Sequence, residues 1–250
     1  MTINAASTEP PSTIRADEVE RFNRLAATWW NSAGPMRPLH VVNGLRLGYV
    51  LEQIAHRFGR APGDLQGLRI ADIGCGAGLM CEPLAARGAQ VVGVDAAAKS
   101  IAVARLHAAD GGLVIDYRVG EPQAALPDGE ALFDVLMLLE VVEHVDHLQN
   151  FVHEASRKLK PGGLLLVSTI NRTARSWLTA IVGAEYIFRV LPRGTHHWSQ
   201  LVRPDELNQA ARACGLREHD RRGMGYLPVV HRAWWTSNLD VNYIASFTKP

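Results

Sequence analysis

The chain has 250 residues, of which 47% are hydrophobic, and it carries a formal net charge of +1. This length suits one domain with appendages, and the apolar fraction is typical of a globular protein and excludes a largely disordered one. The balanced charge lacks the basic excess of a nucleic-acid binder, so we expect no nucleic-acid partner.

The cysteines and the N-terminus indicate the cellular compartment of the protein. Cys75, Cys81 and Cys214 are an odd number without a metal-type C-x-x-C pair. This usage fits a reducing compartment, where free cysteine packs as a small apolar side chain; a reactive thiol is the alternative. Residues 1–15 are polar and lack the apolar stretch of a secretory signal. We therefore expect a disordered tail and a cytoplasmic protein.

Residues 16–60 are predicted to form an N-terminal helical extension. Apolar residues at helical spacing predict one helix over residues 16–28 and a second over residues 45–58. The extension either packs on the domain or forms a lid over a bound ligand. Arg46, near the start of the second helix, is either a surface charge or a partner for a ligand carboxylate.

A glycine-rich turn follows the first predicted strand. Residues 70–78 read I-A-D-I-G-C-G-A-G, and the missing Cβ atoms of Gly74, Gly76 and Gly78 let backbone N–H groups approach a ligand closely. The next apolar strand ends in Asp95. In an open α/β sheet these two strand ends lie side by side, so the carboxylate can accept both hydroxyls of a ribose. The pair predicts a nucleoside site.

The glycine spacing indicates which nucleoside is bound. The pattern here is G-x-G-x-G with Asp72 before it, whereas the dinucleotide fingerprint is G-x-G-x-x-G. An acidic residue before the loop disfavours a pyrophosphate and suits a cationic ligand with an ammonium group. S-adenosylmethionine carries a sulfonium and an amino-acid end, so it is the expected cofactor; a dinucleotide and a purely structural turn are the alternatives.

From residue 68 onward, short apolar runs alternate with helical segments, which predicts a mostly parallel sheet covered by helices. Strands are predicted over residues 69–73, 90–95, 114–119, 133–138 and 163–169, and near 217–223 and 241–248. Helices are predicted over residues 79–87, 98–110, 148–159 and 203–214.

An acidic cluster follows the fourth predicted strand. Leu139 ends this strand, and Glu140, Glu143 and His144 come next. If Glu140 begins a helical turn, all three polar side chains point the same way. They can then bind a hard divalent cation such as Mg²⁺, or His144 can act as a general base for a phenol. A solvated helix start without chemistry is the third interpretation.

A helical insertion is predicted at about residues 171–197, which is longer than a usual connection. Its apolar residues recur at helical spacing, but Glu185 and Arg189 interrupt them, so the segment is too short and too charged to span a bilayer. It is a lid over the substrate, a helix in the membrane interface, or an ordinarily packed helix.

Further short motifs extend from about Phe22 to the C-terminus. They are Trp29-Trp30, Pro38–His40, Leu45–Tyr49, Ala104–Ala108, Asn171–Leu178, Val182–Ile187, Gly194–His196 and Asp240–Tyr243. With the glycine loop they make the chain similar to class I S-adenosylmethionine-dependent methyltransferases, and more closely to the ubiquinone-biosynthesis O-methyltransferase family. The resemblance implies a Rossmann-like α/β domain over residues 61–250, with a mostly parallel seven-stranded sheet and helices on both faces.

The resemblance also implies an activity. Such an enzyme would transfer methyl groups to a polyprenyl-hydroxyphenol (catechol) and to demethylubiquinol, at both O-methylation steps of ubiquinone biosynthesis. A phenol with a pKa of about 10 needs a base or a metal to ionise at neutral pH. The alternatives are a methyltransferase of another small phenol or quinone, and a non-catalytic cofactor-binding subunit of a biosynthetic assembly.

The resemblance carries over site residues as well. It implies cofactor contacts at Arg46, Gly74, Asp95 and Leu139, to which the loop pattern adds Asp72, Gly76 and Gly78. It implies Mg²⁺ binding by Glu140, Glu143 and His144, with Glu140, His144 and His196 as the candidate catalytic residues. Residues 173–193 would contact membrane lipid, which would place the cytoplasmic protein on the inner face of the membrane.

Overall fold

The computed structural model describes residues 16–34, 36–176 and 200–250. Its strands are β1 (Arg69–Ile73), β2 (Gln90–Asp95), β3 (Asp116–Val119), β4 (Phe133–Leu139), β5 (Leu159–Ile170), β6 (Arg217–Leu227), β7 (Arg232–Thr236) and β8 (Asn242–Thr248). Its helices are α1 (Ala16–Leu25), α2 (Arg37–Phe58), α3 (Cys81–Ala85), α4 (Ala98–Asp110), α5 (Pro122–Ala125), α6 (Leu148–Arg157) and α7 (Pro204–Ala213). Short 3-10 turns lie at Ala26–Thr28, Val142–His144 and Pro228–Val230.

The strands form one sheet in the order β3-β2-β1-β4-β5-β8-β6-β7. β1 to β5 pair in parallel, whereas β8, β6 and β7 are joined by antiparallel pairs. This arrangement confirms the predicted mostly parallel α/β sheet. The strand order reverses between β1 and β4, and in such sheets ligands bind beyond the carboxyl ends of the strands at this point.

The sheet has eight strands, one more than the seven expected. The additional strand, β7, forms a hairpin with β6, in which Leu227 pairs with Arg232. Its short A-W-W-T run carries little periodicity of its own, so its strand conformation depends on pairing with β6. β6 is also longer than predicted and extends to Leu227.

Both faces of the sheet are buried at its central strands. In β4, Val135 and Met137 belong to one apolar cluster, and Leu136 and Leu138 belong to a second cluster on the opposite face. Alternate residues of a strand point to opposite faces, so these two clusters are the two layers between the sheet and its helices. This double burial explains why β4 reads as a continuous apolar run.

Several element boundaries differ from the sequence expectation. α2 begins at Arg37 instead of residue 45, because Pro38 is tolerated in the first helical turn. β5 begins at Leu159, and its register against β4 then shifts, so the four residues 160–163 form an irregular stretch where a plain turn was expected.

The predicted tail at residues 1–15 and residues 177–197 of the predicted insertion, including His196, lie outside the described residues. Within the described ranges, no helix is sufficiently long and apolar to cross a lipid bilayer.

Candidate active site

A cavity of about 690 Å³ opens beyond the carboxyl ends of β1, β2 and β4. Its floor comes from the residues that follow these strands, and its walls come from α1, α2 and the β6–β7 hairpin. Binding sites for small molecules typically measure about 300–1,000 Å³ and are mostly apolar. The cavity therefore has the position and the size of a ligand site.

The three glycines of the loop are required for two separate reasons. Gly74, Gly76 and Gly78 have φ angles of +79°, +54° and +86°, a region that side chains other than glycine adopt only with strain. A Cβ at Gly76 would overlap the Trp29 ring, and one at Gly78 would overlap the Tyr117 hydroxyl. The loop is thus shaped for a close backbone approach and is covered by the N-terminal extension.

Asp95 holds the glycine loop from the neighbouring strand. Its two carboxylate oxygens accept hydrogen bonds from the backbone N–H groups of Gly76, at 2.8 Å, and Ala97, at 2.7 Å. Burial raises the pKa of Asp95, and these two hydrogen bonds act in the opposite direction. Asp95 lies at the β2 end and lines the cavity, as the sequence predicts, and it also fixes the loop conformation.

Asp72 lies beneath the loop and is almost fully buried. Burial raises its pKa to about 7, an effect that the nearby Asp95 strengthens and the hydrogen bond from the Cys81 thiol, at 3.4 Å, reduces. Burial also raises the pKa of Cys75 to about 11. A thiol with so high a pKa is not ionised at neutral pH, which favours the structural interpretation of this cysteine.

Arg46 and Glu140 form an ion pair that the sequence did not predict. Arg46, on α2, is buried, and its guanidinium Nη2 lies 2.5 Å from Glu140 Oε1. The Arg46 Nη1 also donates to Asn43, whereas its Nε has no hydrogen-bond partner within the described part of the chain. Arg46 therefore lies in the cavity wall as a buried cation, and its role as a surface charge is excluded.

The condition that Glu140 begins a helical turn is not met in the structure. It has a φ of +58°, and the turn that follows is a short 3-10 turn at Val142–His144. Its carboxylate accepts a hydrogen bond from the Ser168 hydroxyl at 3.0 Å and one from the Asn242 side-chain amide at 3.4 Å. These contacts and the ion pair with Arg46 hold Glu140 at the edge of the cavity.

Glu143 and His144 complete the acidic cluster and line the same cavity. Glu143 is 3% exposed and accepts a hydrogen bond from the Thr169 hydroxyl at 2.8 Å. Burial, with a smaller contribution from the Glu140 charge, raises its pKa to about 7. The His144 ring stands edge-on to Phe22 of α1, with ring centroids 5.6 Å apart. Leu139, at the end of β4, also lines the cavity.

The cluster offers donors of the type that Mg²⁺ prefers, but they do not converge in this arrangement. Within residues 16–34, 36–176 and 200–250, no three histidine, cysteine, aspartate or glutamate side chains are grouped so that they could hold a metal ion. Glu140 is paired with Arg46 instead. A metal here requires Glu140 to leave Arg46, and magnesium binding stays a prediction.

The N-terminal extension is fixed over the loop by contacts that sequence reasoning missed. Trp30 stacks on His107 of α4 at a centroid distance of 3.5 Å, and its indole N–H donates to the Ala77 carbonyl at 3.0 Å. His107 Nδ1 lies 2.8 Å from a carboxylate oxygen of Glu82. These residues are far apart in the chain, and no spacing pattern connects them.

Comparison with known proteins identifies the family. The chain is 50% identical to a ubiquinone biosynthesis O-methyltransferase from Chelativorans sp. over 96% of this chain and 95% of that protein. It is also 50% identical to a protein of the same name from Mesorhizobium japonicum, over 93% of this chain and 94% of that protein.

The family model described as a methyltransferase domain matches residues 71–167. Among solved structures, the chain resembles a magnesium protoporphyrin IX methyltransferase from Synechocystis, crystallised with bound SAH, with a TM-score of 0.64 and 15% identity over 94% of this chain and 95% of that chain. A putative methyltransferase from Bacillus halodurans shows a TM-score of 0.57 and 16% identity over 80% of this chain and 99% of that chain. These structures share the fold, whereas the 50% identity of the curated relatives shows that the chain belongs to the ubiquinone biosynthesis O-methyltransferase family.

Proposed function

We propose that this protein transfers methyl groups from S-adenosylmethionine to phenolic hydroxyls of polyprenylated intermediates in ubiquinone biosynthesis. The observation that carries the proposal is one cavity that brings together two half-sites. Asp95 and the glycine loop form one half, and Glu143 and His144 form the other. Family membership supplies the substrate class, and the two half-sites fit a nucleoside cofactor beside a phenol.

The cofactor half follows from the contacts of the loop. The glycine loop contacts the cofactor through its backbone. The Asp95 carboxylate has remaining lone pairs for the two ribose hydroxyls. Asp72 lies on the side of the loop where the cofactor ammonium group would sit. Arg46 is the cation for the carboxylate of the cofactor, and Leu139 packs against the cofactor. Of the proposed cofactor residues, Arg46, Asp72, Gly74, Asp95 and Leu139 line the cavity, whereas Gly76 and Gly78 do not.

The acceptor half positions and deprotonates the phenol. The phenolic oxygen attacks the methyl carbon in line with the carbon–sulfur bond, whose electron pair stays on sulfur as S-adenosylhomocysteine is released. The proton leaves to a base at the cavity wall, and His144 and Glu140 are the assigned groups. Most of the rate enhancement comes from alignment of the two reactants in a cavity that excludes water.

As the alternative to direct proton transfer, Glu140, Glu143 and His144 would hold Mg²⁺ once Glu140 had left Arg46. The ion would then supply the charge that lowers the pKa of the reacting hydroxyl. His196 is the reserve base in this scheme and lies outside the described residues.

The proposal includes two finer assignments. The same cavity serves both methylation steps, on the prenylated catechol and on demethylubiquinol. Residues 173–193 contact lipid, which would place the protein on the inner face of the membrane and near other enzymes of the pathway.

Deletion of residues 177–191 tests the lipid contact. It is expected to abolish flotation with anionic vesicles and to leave cofactor affinity unchanged. Equal flotation of both forms contradicts the lipid contact.

The decisive experiment measures transfer of labelled methyl from S-adenosylmethionine to a prenylated catechol and to a short-chain demethylubiquinol, with EDTA or with added magnesium. We expect turnover of both acceptors, lost in EDTA and restored by magnesium. Turnover that EDTA leaves intact would assign the acidic cluster to acid–base chemistry alone. Cofactor binding without turnover of either acceptor would favour a non-catalytic subunit or a different phenol.

A further inference from the structure

The β6–β7 hairpin carries apolar side chains that begin in the cavity and end at the protein surface. We call them the hairpin strip; its members are Leu227, Pro228, Val229, Val230 and Trp234. Leu227, Pro228 and Trp234 line the cavity. Beyond them Val229 is 87% exposed and Val230 is 60% exposed. The strip is therefore one apolar path from the inside of the cavity to solvent.

The hairpin holds this strip in a fixed shape. Gly225 pairs with Trp234 across the two strands, and the indole lies so close to Gly225 that a Cβ there would overlap it. At the turn, the Tyr226 hydroxyl and His231 Nδ1 are 2.7 Å apart, and His231 has a φ of +47°. These contacts hold the turn in place, and its apolar side chains are exposed to water. Exposed apolar side chains that adjoin a ligand cavity are a candidate binding surface.

We infer that the hairpin strip binds the polyprenyl tail of the substrate where the tail leaves the cavity. The inference rests on the proposed function, because that function supplies a substrate with a long apolar tail. The cavity of about 690 Å³ has to hold both the cofactor and the acceptor ring, so a tail of several prenyl units extends outside it. The strip is continuous with the cavity wall and offers an apolar surface along which the tail can lie.

The continuity of the hairpin strip with the cavity wall favours the polyprenyl tail over other occupants of the strip. Leu227 and Trp234 are each partly inside the cavity and partly exposed, at 47% and 43%. A ligand that extends from the cavity to Val229 and Val230 passes these two side chains. The substrate does so, since its ring reacts inside and its tail is joined to that ring. A membrane surface or a second protein copy would cover only the outer part of the strip.

The test compares catechols with no prenyl unit and with three prenyl units, dissolved without vesicles. The quantity measured is the ratio of kcat/KM for the prenylated catechol to kcat/KM for the tail-less catechol, within one protein. We expect the double variant Val229→Ser/Val230→Ser to lower this ratio about tenfold, because its hydroxyls replace the apolar contacts of the tail. Leu227→Ser is the second variant and is expected to act in the same direction.

The matched control is the double variant Leu106→Ser/Val114→Ser. Both side chains are exposed, at 69% and 94%, and neither lines the cavity. It should keep the wild-type ratio, and thermal unfolding of each variant checks that the proteins are folded.

The outcomes separate this inference from the proposed function. Absence of turnover of any catechol by the wild type would contradict the proposed function. Normal wild-type turnover with an unchanged ratio in both strip variants would overturn the tail path. A second arm delivers the same catechols in anionic vesicles. A lower ratio in this arm only would also overturn the tail path, and would assign the strip to membrane contact.

Discussion

At the scale of single residues, Asp95 combines two tasks, since it holds the glycine loop and is the proposed ribose acceptor. Its carboxylate oxygens already accept the Gly76 and Ala97 N–H groups, so the side chain shapes the loop before any cofactor binds. The proposed ribose contacts would use the remaining lone pairs of the same two oxygens.

Asp95→Ala is expected to weaken binding of S-adenosylhomocysteine by about 2–3 kcal/mol, because hydrogen bonds to a charged acceptor are lost. Calorimetric titration measures this loss. Asp95→Asn keeps one acceptor oxygen and should fall between Ala and wild type. A folded Asp95→Ala protein with unchanged affinity would contradict the assignment of Asp95 to the cofactor.

Gly76 tests whether the N-terminal extension takes part in cofactor binding. Gly76→Ala imposes a positive φ on alanine and also displaces the Trp29 ring. Gly112→Ala is the matched control, since Gly112 has a φ of +67° but open space around its missing Cβ. Both variants should lose about 1 kcal/mol of folding stability, because alanine disfavours the left-handed region, and Gly76→Ala should lose more because the buried Trp29 ring has to move.

Only Gly76→Ala should also weaken cofactor binding, by about tenfold. Calorimetric titration of both variants with S-adenosylhomocysteine provides the comparison. Equal affinity in the two proteins would show that the Trp29 contact contributes nothing to the cofactor site.

The local pattern predicted some of these residues and missed others. Gly74 and Asp95 were predictable because their roles depend on backbone conformation and on position at a strand end. Each of these features can be recognised from the residues immediately around it. The Trp29 contact at Gly76 was not predictable, since it depends on where a distant segment packs. The same holds for Asn242, which donates to Glu140 from the other end of the chain.

At the scale of elements, α2 and the end of β4 meet through Arg46 and Glu140. The sequence assigned these two residues to separate ligands, a cofactor carboxylate and a metal ion. In the structure each is the partner of the other. If Arg46 is to bind the cofactor carboxylate, it has to give up at least part of its contact with Glu140, so cofactor and Glu140 compete for the same cation.

Glu140→Gln removes this competition. The variant is expected to lose about 2 kcal/mol of stability without ligand, because Arg46 is buried and Glu140 is one-quarter exposed, which reduces the larger cost of a fully buried pair. It should bind S-adenosylhomocysteine up to about tenfold more tightly than wild type, since the ligand carboxylate replaces the missing anion. Thermal unfolding and calorimetry measure the two effects.

The control for this prediction is Asp116→Asn, which breaks the pair between Arg118 and an exposed carboxylate. Exposed pairs contribute about 1 kcal/mol or less, and this one is remote from the cavity. Its ligand affinity should match wild type. Weaker binding of S-adenosylhomocysteine by Glu140→Gln than by wild type would contradict the exchange at Arg46.

Elements with clear local signals were predicted better than those that depend on pairing. β1, β2 and α4 have the predicted bounds, because the two buried strands are apolar runs and Gly111 directly follows α4. β7 was missed because a short A-W-W-T run becomes a strand only when β6 lies beside it. The hairpin strip, which follows from that pairing, was therefore invisible in the sequence.

At the scale of the whole molecule, the sheet places three carboxyl groups with raised pKa values at the same cavity, those of Asp72, Asp95 and Glu143. The packing that buries these groups also makes the stability of the protein depend on pH. Sequence reasoning predicted the parallel sheet and the strand ends where these groups lie. It could not predict their pKa values, since those depend on complete burial by distant segments.

The Glu143 carboxyl determines the sign of this pH dependence. Its pKa is about 7 in the folded protein and about 4.5 in an ordinary exposed side chain. Between these values the folded protein holds more protons at this site than the unfolded chain does. The contribution of Glu143 to the free energy of unfolding therefore falls as pH rises from about 4.5 to about 7, by up to about 1.4 kcal/mol per pH unit, and it levels off above that window.

Glu143→Gln keeps the size of the side chain and an oxygen that can accept from Thr169, but it cannot ionise. The difference in unfolding free energy, variant minus wild type, should therefore grow from pH 4.5 to pH 7 and stay constant at higher pH. Asp72 titrates in both proteins and cancels in the difference. Urea unfolding across this range measures it, and a difference that does not change with pH would show that Glu143 titrates as an exposed carboxyl would.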